Sequence, residues 1–143
     1  MRASVRAVVA AALLGTAACR VEDAPVAPLP TEATVVGVYN LSTANGGPLP
    51  FPLDVNDTTK FEVVSGRVTV NADHTFADML TTRLTYTSGS QAPIEHSNTQ
   101  PGTWTLAGNI LTLTYGVDAS VTAIVIGKQL TKSALGVPMG YTK

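Results

Sequence analysis

Between Gly102 and Tyr115 the chain reads GTWTLAGNILTLTY, and its apolar residues fall at every second position. Trp104 and Leu106 alternate with Thr103 and Thr105, Ala107-Gly108-Asn109 interrupts, and Leu111, Leu113 and Tyr115 alternate with Thr112 and Thr114. Alternate side chains of a strand share a face, so this stretch predicts an antiparallel hairpin with one apolar and one threonine face. The apolar face requires a second layer or a closed barrel to cover it.

The same period recurs along the chain. The folded part starts near Thr34, with a first strand from Val35 through about Ser42 that is apolar on both faces. Ala44 to Pro52, dense in glycine and proline, predicts an ordered loop that carries Leu49 and Phe51 over an open end of the core. Lys60 to Ser65 gives a second strand and Val68 to Val70 a third. Asn71-Ala72-Asp73-His74 gives a turn, and Thr75 to Thr87 a long fourth strand with Phe76, Leu80, Leu84 and Tyr86 on one face. Asp78 has the same parity, and an unpaired buried carboxylate is costly. The residue is therefore expected beside a bulge or near the strand's exposed end, with an internal partner as the alternative. Ser88 to Pro101 is polar and reads as a flexible surface loop. Beyond the hairpin, strands are expected over Val121 to Ile126, Gln129 to Ser133 and Met139 to Thr142. Short connections make successive strands antiparallel neighbours, so the fold class is all-β, an up-and-down meander of about eight strands. Such a barrel is either filled by side chains or holds one small ligand, and whether it closes is left open at this point. A β-sandwich adhesion module, the competing architecture, would have its strands cross between two sheets.

Composition strengthens the β reading. Charged residues are 13% of the chain, about half the usual share of ~25%, while β-branched residues and glycine are plentiful. The full chain has 9 basic and 10 acidic side chains, so no excess of positive charge points to nucleic acid.

Met1 to Ala18 has Arg2 and Arg6 at its start, an apolar run from Ala7 to Leu14, and small residues before Cys19. This is the three-part arrangement of a secretory signal, and the run is too short to span a bilayer. Cys19 is the only cysteine and has no internal disulfide partner. Leu14-Gly15-Thr16-Ala17-Ala18-Cys19 resembles a bacterial lipoprotein signal. That resemblance implies acyl chains on Cys19 as the first mature residue, a location in the bacterial cell envelope, and, because Arg20 follows, anchoring at the outer membrane. A plain secretory signal cut near Ala18, giving a secreted or periplasmic protein with a free thiol, is the alternative. Residues 19–33 include Pro25, Pro28 and Pro30 without an apolar period. At ~3.1 Å per residue they would form an extended tether of about 40 Å between the membrane and a domain over residues 34–143.

Candidate chemistry is sparse. His74 and His96 show no metal-ligand spacing and read as surface residues, so neither a metal nor a cofactor is expected. No nucleophile elbow, phosphate-binding glycine loop or spaced carboxylate pair occurs; Asp54 and Asp57 look like turn formers. The expectation is a protein without enzymatic activity.

Gly37-Val38-Tyr39, Asn45-Gly46-Gly47-Pro48-Leu49-Pro50, Asn71 to Phe76, Gly102-Thr103-Trp104 with Gly108-Asn109, and the ending Met139 to Lys143 together resemble the lipocalin-like domains of small bacterial envelope lipoproteins. The resemblance implies an up-and-down barrel that binds a small hydrophobic ligand, with Leu49, Phe51, Phe61, Phe76, Tyr86, Trp104 and Leu113 as candidate contacts. The alternative is a structural or protein-interaction module of the envelope with a filled core. No protein partner is identified.

Overall fold

The computed structural model describes residues 28–89, 91–117 and 119–143. The signal segment, Cys19 and most of the tether lie outside them. A single turn of helix, α1 (Glu32–Val35), precedes nine strands: β1 (Gly37–Ala44), β2 (Phe51–Val55), β3 (Thr59–Val70), β4 (Thr75–Tyr86), β5 (Ile94–Ala107), β6 (Ile110–Tyr115), β7 (Ala119–Ile126), β8 (Gln129–Ala134) and β9 (Val137–Thr142). They form one antiparallel sheet in the order β1-β9-β8-β7-β6-β5-β4-β3-β2, and β1 also pairs with β3. Eight strands thus close into a barrel, and β2 lies in line with β1 along the upper half of β3. The neighbour-to-neighbour pairing is that of the meander and not of a sandwich.

Closure is made by β1. Its first half, Gly37 to Asn40, pairs with Val70 to Arg67 of β3, and its second half, Asn40 to Ala44, pairs with β9. The strand passes from one neighbour to the other because barrel strands tilt against the axis. β2 then takes the edge of β3 that β1 leaves, pairing Phe51 with Val63 and Val55 with Lys60.

Three expectations are corrected. The second and third strands are one strand, β3; the register slips between Val63 and Ser65, so a bulge absorbs the break in parity that divided the sequence pattern in two. The polar stretch before Gly102 is strand from Ile94 onward, paired with β4 from Leu84↔Ile94 to Phe76↔Gly102. Its residues are exposed, and an exposed strand has no apolar alternation by which to announce itself. The proline-rich loop after β1 is shorter than expected, because Phe51 to Val55 pairs as an edge strand, where Pro52 needs no second ladder partner.

One end of the barrel is closed by packing. Trp104, Phe76, Tyr39, Tyr141, Leu111, Leu113, Leu130, Val68, Val70 and Val125 are all buried there. The Trp104 indole N–H donates to the Asn71 carbonyl at 2.9 Å, and the His74 ring stacks on the indole at 4.5 Å between centroids. His74 is an exposed turn residue, as expected, and one face of its ring covers the indole. α1 plugs the same end: Val35 is buried, the Tyr39 hydroxyl donates to its carbonyl at 2.8 Å, and Lys143 Nζ donates to the Thr34 carbonyl at 2.9 Å and to that of Val36.

Gly102 sits opposite Phe76 on the inner face, where a Cβ would collide with the Thr114 carbonyl oxygen and the Phe76 ring. Glycine is needed here for space and not for its dihedral freedom. Gly102→Ala is expected to destabilise the fold by about 1–3 kcal/mol, the usual cost of overpacking a core; the midpoint of urea unfolding measures it, and an unchanged midpoint would contradict the packing.

Candidate functional site

Residues directly opposite one another in a ladder share a face, so the registers define rows that run around the lumen. The row through Phe76 is apolar. One inward position above Phe76, Asp78 of β4 stands between Val68 and Gln100, and in a separate row Lys132 of β8 stands between Ala123 and Met139. β4 and β8 lie on opposite walls, so the long Lys132 side chain reaches across the interior to the Asp78 carboxylate. Lys132 Nζ lies 2.6 Å from Asp78 Oδ2, and the Tyr115 hydroxyl donates to that same oxygen, also at 2.6 Å. Only 9% of the Asp78 side chain and 4% of the Lys132 side chain is exposed. The Lys132 ammonium also lies 5.6 Å from the centre of the Tyr141 ring.

The expectation for Asp78 is thereby reversed. It is neither at an exposed strand end nor beside a bulge, but has a partner inside. The sequence signal was available: in β8 Lys132 has the parity of Leu130 and Ala134, which makes it an inward lysine to set against an inward aspartate. Burial, followed by the bond and proximity to Asp78, pushes the Tyr115 hydroxyl far above its ordinary value. Tyr141 is raised for the same two kinds of reason, burial first and the Asp78 charge second. Both phenols are therefore neutral donors at any physiological pH.

Above this polar layer the barrel is open. β6 pairs with β5 only from Thr103 to Ala107, whereas β4 and β5 continue together up to Leu84 and Ile94. The β3-β4-β5 wall consequently rises beyond the β6-β7 side, and a cavity of about 660 Å³ lies between them. Its lining includes Phe61 and Leu80 on the tall wall and Tyr115 and Val121 on the short one. Asn98, Gln100 and Thr82 make the tall wall partly polar, and Lys132 and Asp78 lie at the base. The volume falls within the ~300–1,000 Å³ of small-molecule sites.

Of the residues singled out in the sequence, Phe61 lines this cavity. Phe76, Trp104 and Leu113 are fully buried in the closed half. Leu49 packs against the margin of the core, Phe51 is half-buried on β2, and Tyr86 ends β4, half-buried. Sequence reasoning missed Lys132, Tyr115, Asn98 and Gln100, the last two because their stretch carried no strand signal. His96 lies on β5 opposite Thr82 and is exposed. Among the described residues no group of three or more His, Cys, Asp or Glu side chains is placed to hold a metal ion.

Truncating one partner of a buried ion pair strands the other, whereas replacing both with apolar residues removes the desolvation cost along with the attraction. Asp78→Ala is expected to destabilise the barrel by about 3–5 kcal/mol, and the double variant Asp78→Leu with Lys132→Met to recover most of that loss. Urea unfolding of the two variants measures both; a double variant no more stable than the single one would show that the pair is not the unit the geometry makes it.

No curated protein and no solved structure matches this chain. A family model described as a lipocalin-like domain matches residues 35–133, from the helical plug through the inward lysine to the end of β8. With that match and the closed antiparallel barrel, the chain belongs to the lipocalin-like domain family.

Proposed function

We propose that this lipocalin-like domain binds a small, largely hydrophobic molecule in the open half of its barrel, and that it does so as a membrane-tethered lipoprotein of the bacterial envelope. One observation carries the binding reading: the interior is divided, with the closed half filled by side chains and the other half left as a cavity of about 660 Å³ walled in part by Phe61, Leu80 and Val121. A barrel needed only as a scaffold gains nothing from keeping that space, since apolar groups facing a void lose their contacts. The reading is of a carrier and not of a catalyst, because the buried charged groups are engaged in ion pairs, Lys132 with Asp78 and Glu62 with Lys60. A structural or interaction module remains the second reading. It is favoured by the filled closed half and by the outer edge of β2, which has no further neighbour among the described residues and could accept a strand.

The tether rests on Cys19 and the signal before it, and the geometry gives that reading a consequence. Pro28 to Pro30 lie in a hollow with Gly127, Lys128 and Lys143, at the closed end of the barrel. A tether joined to Pro28 is thus attached at the end opposite the mouth and leaves the entrance to the cavity uncovered.

The neutral fluorophore N-phenyl-1-naphthylamine is expected to bind the folded domain with enhanced emission and to raise its melting temperature, because a ligand that binds only the folded state stabilises it. Ala119 lines the cavity yet is exposed, so Ala119→Trp is expected to abolish the emission without altering the melting temperature of the free domain. An unchanged emission in that variant, or none in the wild type, removes the carrier reading.

Mass spectrometry of the mature protein from cell envelopes is expected to find an N-terminal Cys19 with its acyl chains attached. A mature chain beginning at Cys19 or later with an unmodified mass would favour simple secretion instead.

A further inference from the structure

We infer that the cavity selects a neutral ligand with an alcohol or primary amide head seated on Asp78 and Lys132, and an apolar body lying against Phe61, Leu80, Val121 and Leu135. The inference rests on the carrier reading above and specifies what is carried. Its starting point is an imbalance in the polar layer. Asp78 Oδ2 accepts from both Lys132 Nζ and the Tyr115 hydroxyl. Asp78 Oδ1 is buried and is the one buried side-chain polar atom among the described residues without a hydrogen-bond partner. A carboxylate only accepts, so what Oδ1 lacks is a donor.

Lys132 has the opposite deficit. An ammonium carries three N–H donors, and its hydrogen bond in the lumen, to Asp78 Oδ2, uses one. A head that satisfies both groups must donate to Oδ1 and accept from Nζ. A hydroxyl does so with one atom, and a primary amide with two. Buried polar groups left unmatched are what allow a site to reject an analogue lacking the right hydrogen bond.

The same arithmetic excludes other heads. A carboxylate accepts from Lys132 but sets a second negative charge beside Asp78, and an ammonium donates to Asp78 but meets Lys132 with like charge. An ether accepts and cannot donate, so Oδ1 stays bare. Gln100, level with Asp78, and Asn98 and Thr82 further up the tall wall have neutral side chains, so among the lining residues no charge beyond the pair itself offsets these penalties. Among the lining residues Phe61, Leu80, Val121 and Leu135 give the body of the molecule its apolar contact.

The test is displacement of N-phenyl-1-naphthylamine from the intact mature protein, at neutral pH, by eight-carbon compounds that differ in the head: octanol, octanamide, octanoate, octylammonium and methyl heptyl ether. Octanol and octanamide are expected to bind at least tenfold more tightly than the other three. In Asp78→Asn, Oδ2 is still required as acceptor for Lys132 and Tyr115, so the amide N–H₂ takes the place of Oδ1. The octanol preference over the ether is then expected to vanish, because the floor now donates where it formerly accepted. Equal binding of all five by the wild type overturns the head-group inference while leaving the carrier reading intact, and so does a preference for octanoate. Failure of the fluorophore and of every octyl compound overturns both. Should Asp78→Asn not fold, the ratio of octanol to ether decides in a variant carrying Thr82→Val, Asn98→Leu and Gln100→Leu, which removes the other side-chain acceptors of the tall wall; a ratio that falls to one there overturns the head-group inference.

Discussion

The structure depends on β1 being shared. A meander of eight antiparallel strands has two edges, and each edge is a row of unpaired amides and carbonyls until something meets it. β1 meets both, giving Gly37 to Asn40 to β3 and Asn40 to Ala44 to β9. Closure has a consequence for the interior: inward side chains on every strand must share one lumen. The residues nearest the plugged end, Trp104, Phe76, Tyr39 and Tyr141 among them, are large enough to fill it. Towards the other end the lumen is not filled, because the walls differ in height. β4 and β5 run together beyond the point at which β6 turns into β7, and the shorter side leaves part of the inner surface they expose uncovered.

How much of this could be read from the sequence follows from where water lies. The β5–β6 hairpin and strands β7 to β9 were legible because one face is buried and the other wet, which writes a period of two into the chain. The upper half of β5, Ile94 to Gln100, was not legible, because it is exposed on both faces and hydrophobicity then says nothing about backbone state. The bulge at Val64 hid the continuity of β3 for a different reason: one extra residue inverts the parity, so a single strand looks like two. The aromatic residues were legible as inward but not as core or cavity wall. Phe61 and Phe76 follow the same rule and end on opposite sides of the polar layer, since height along the barrel depends on register and tilt. Lys132 was the hardest. A lysine in a short strand is ordinarily a solvated residue, and the parity it shares with Leu130 and Ala134 is a weak signal until the barrel sets it across from Asp78.

A buried ion pair is seldom retained for stability, because desolvating the two charges offsets most of their attraction. Where this pair sits offers a better account. Asp78 lies one inward position above Phe76, whose ring meets Tyr115 edge-on at 4.9 Å; the carboxylate, the ammonium and the Tyr115 hydroxyl together cap the aromatic core at that level. With an apolar layer in their place, the upper walls would have little to keep them from collapsing inward, and the lumen could fill as the lower half does. The polar layer holds the two walls at the distance set by a lysine reaching an aspartate, and a hydrocarbon that parted the pair would leave hydrogen bonds unmade. It therefore acts as a spacer for the barrel and as a floor for whatever enters it. The unmatched Oδ1 is where those two roles conflict: a layer built only to brace the walls would gain by satisfying every acceptor, and this one keeps a buried acceptor bare.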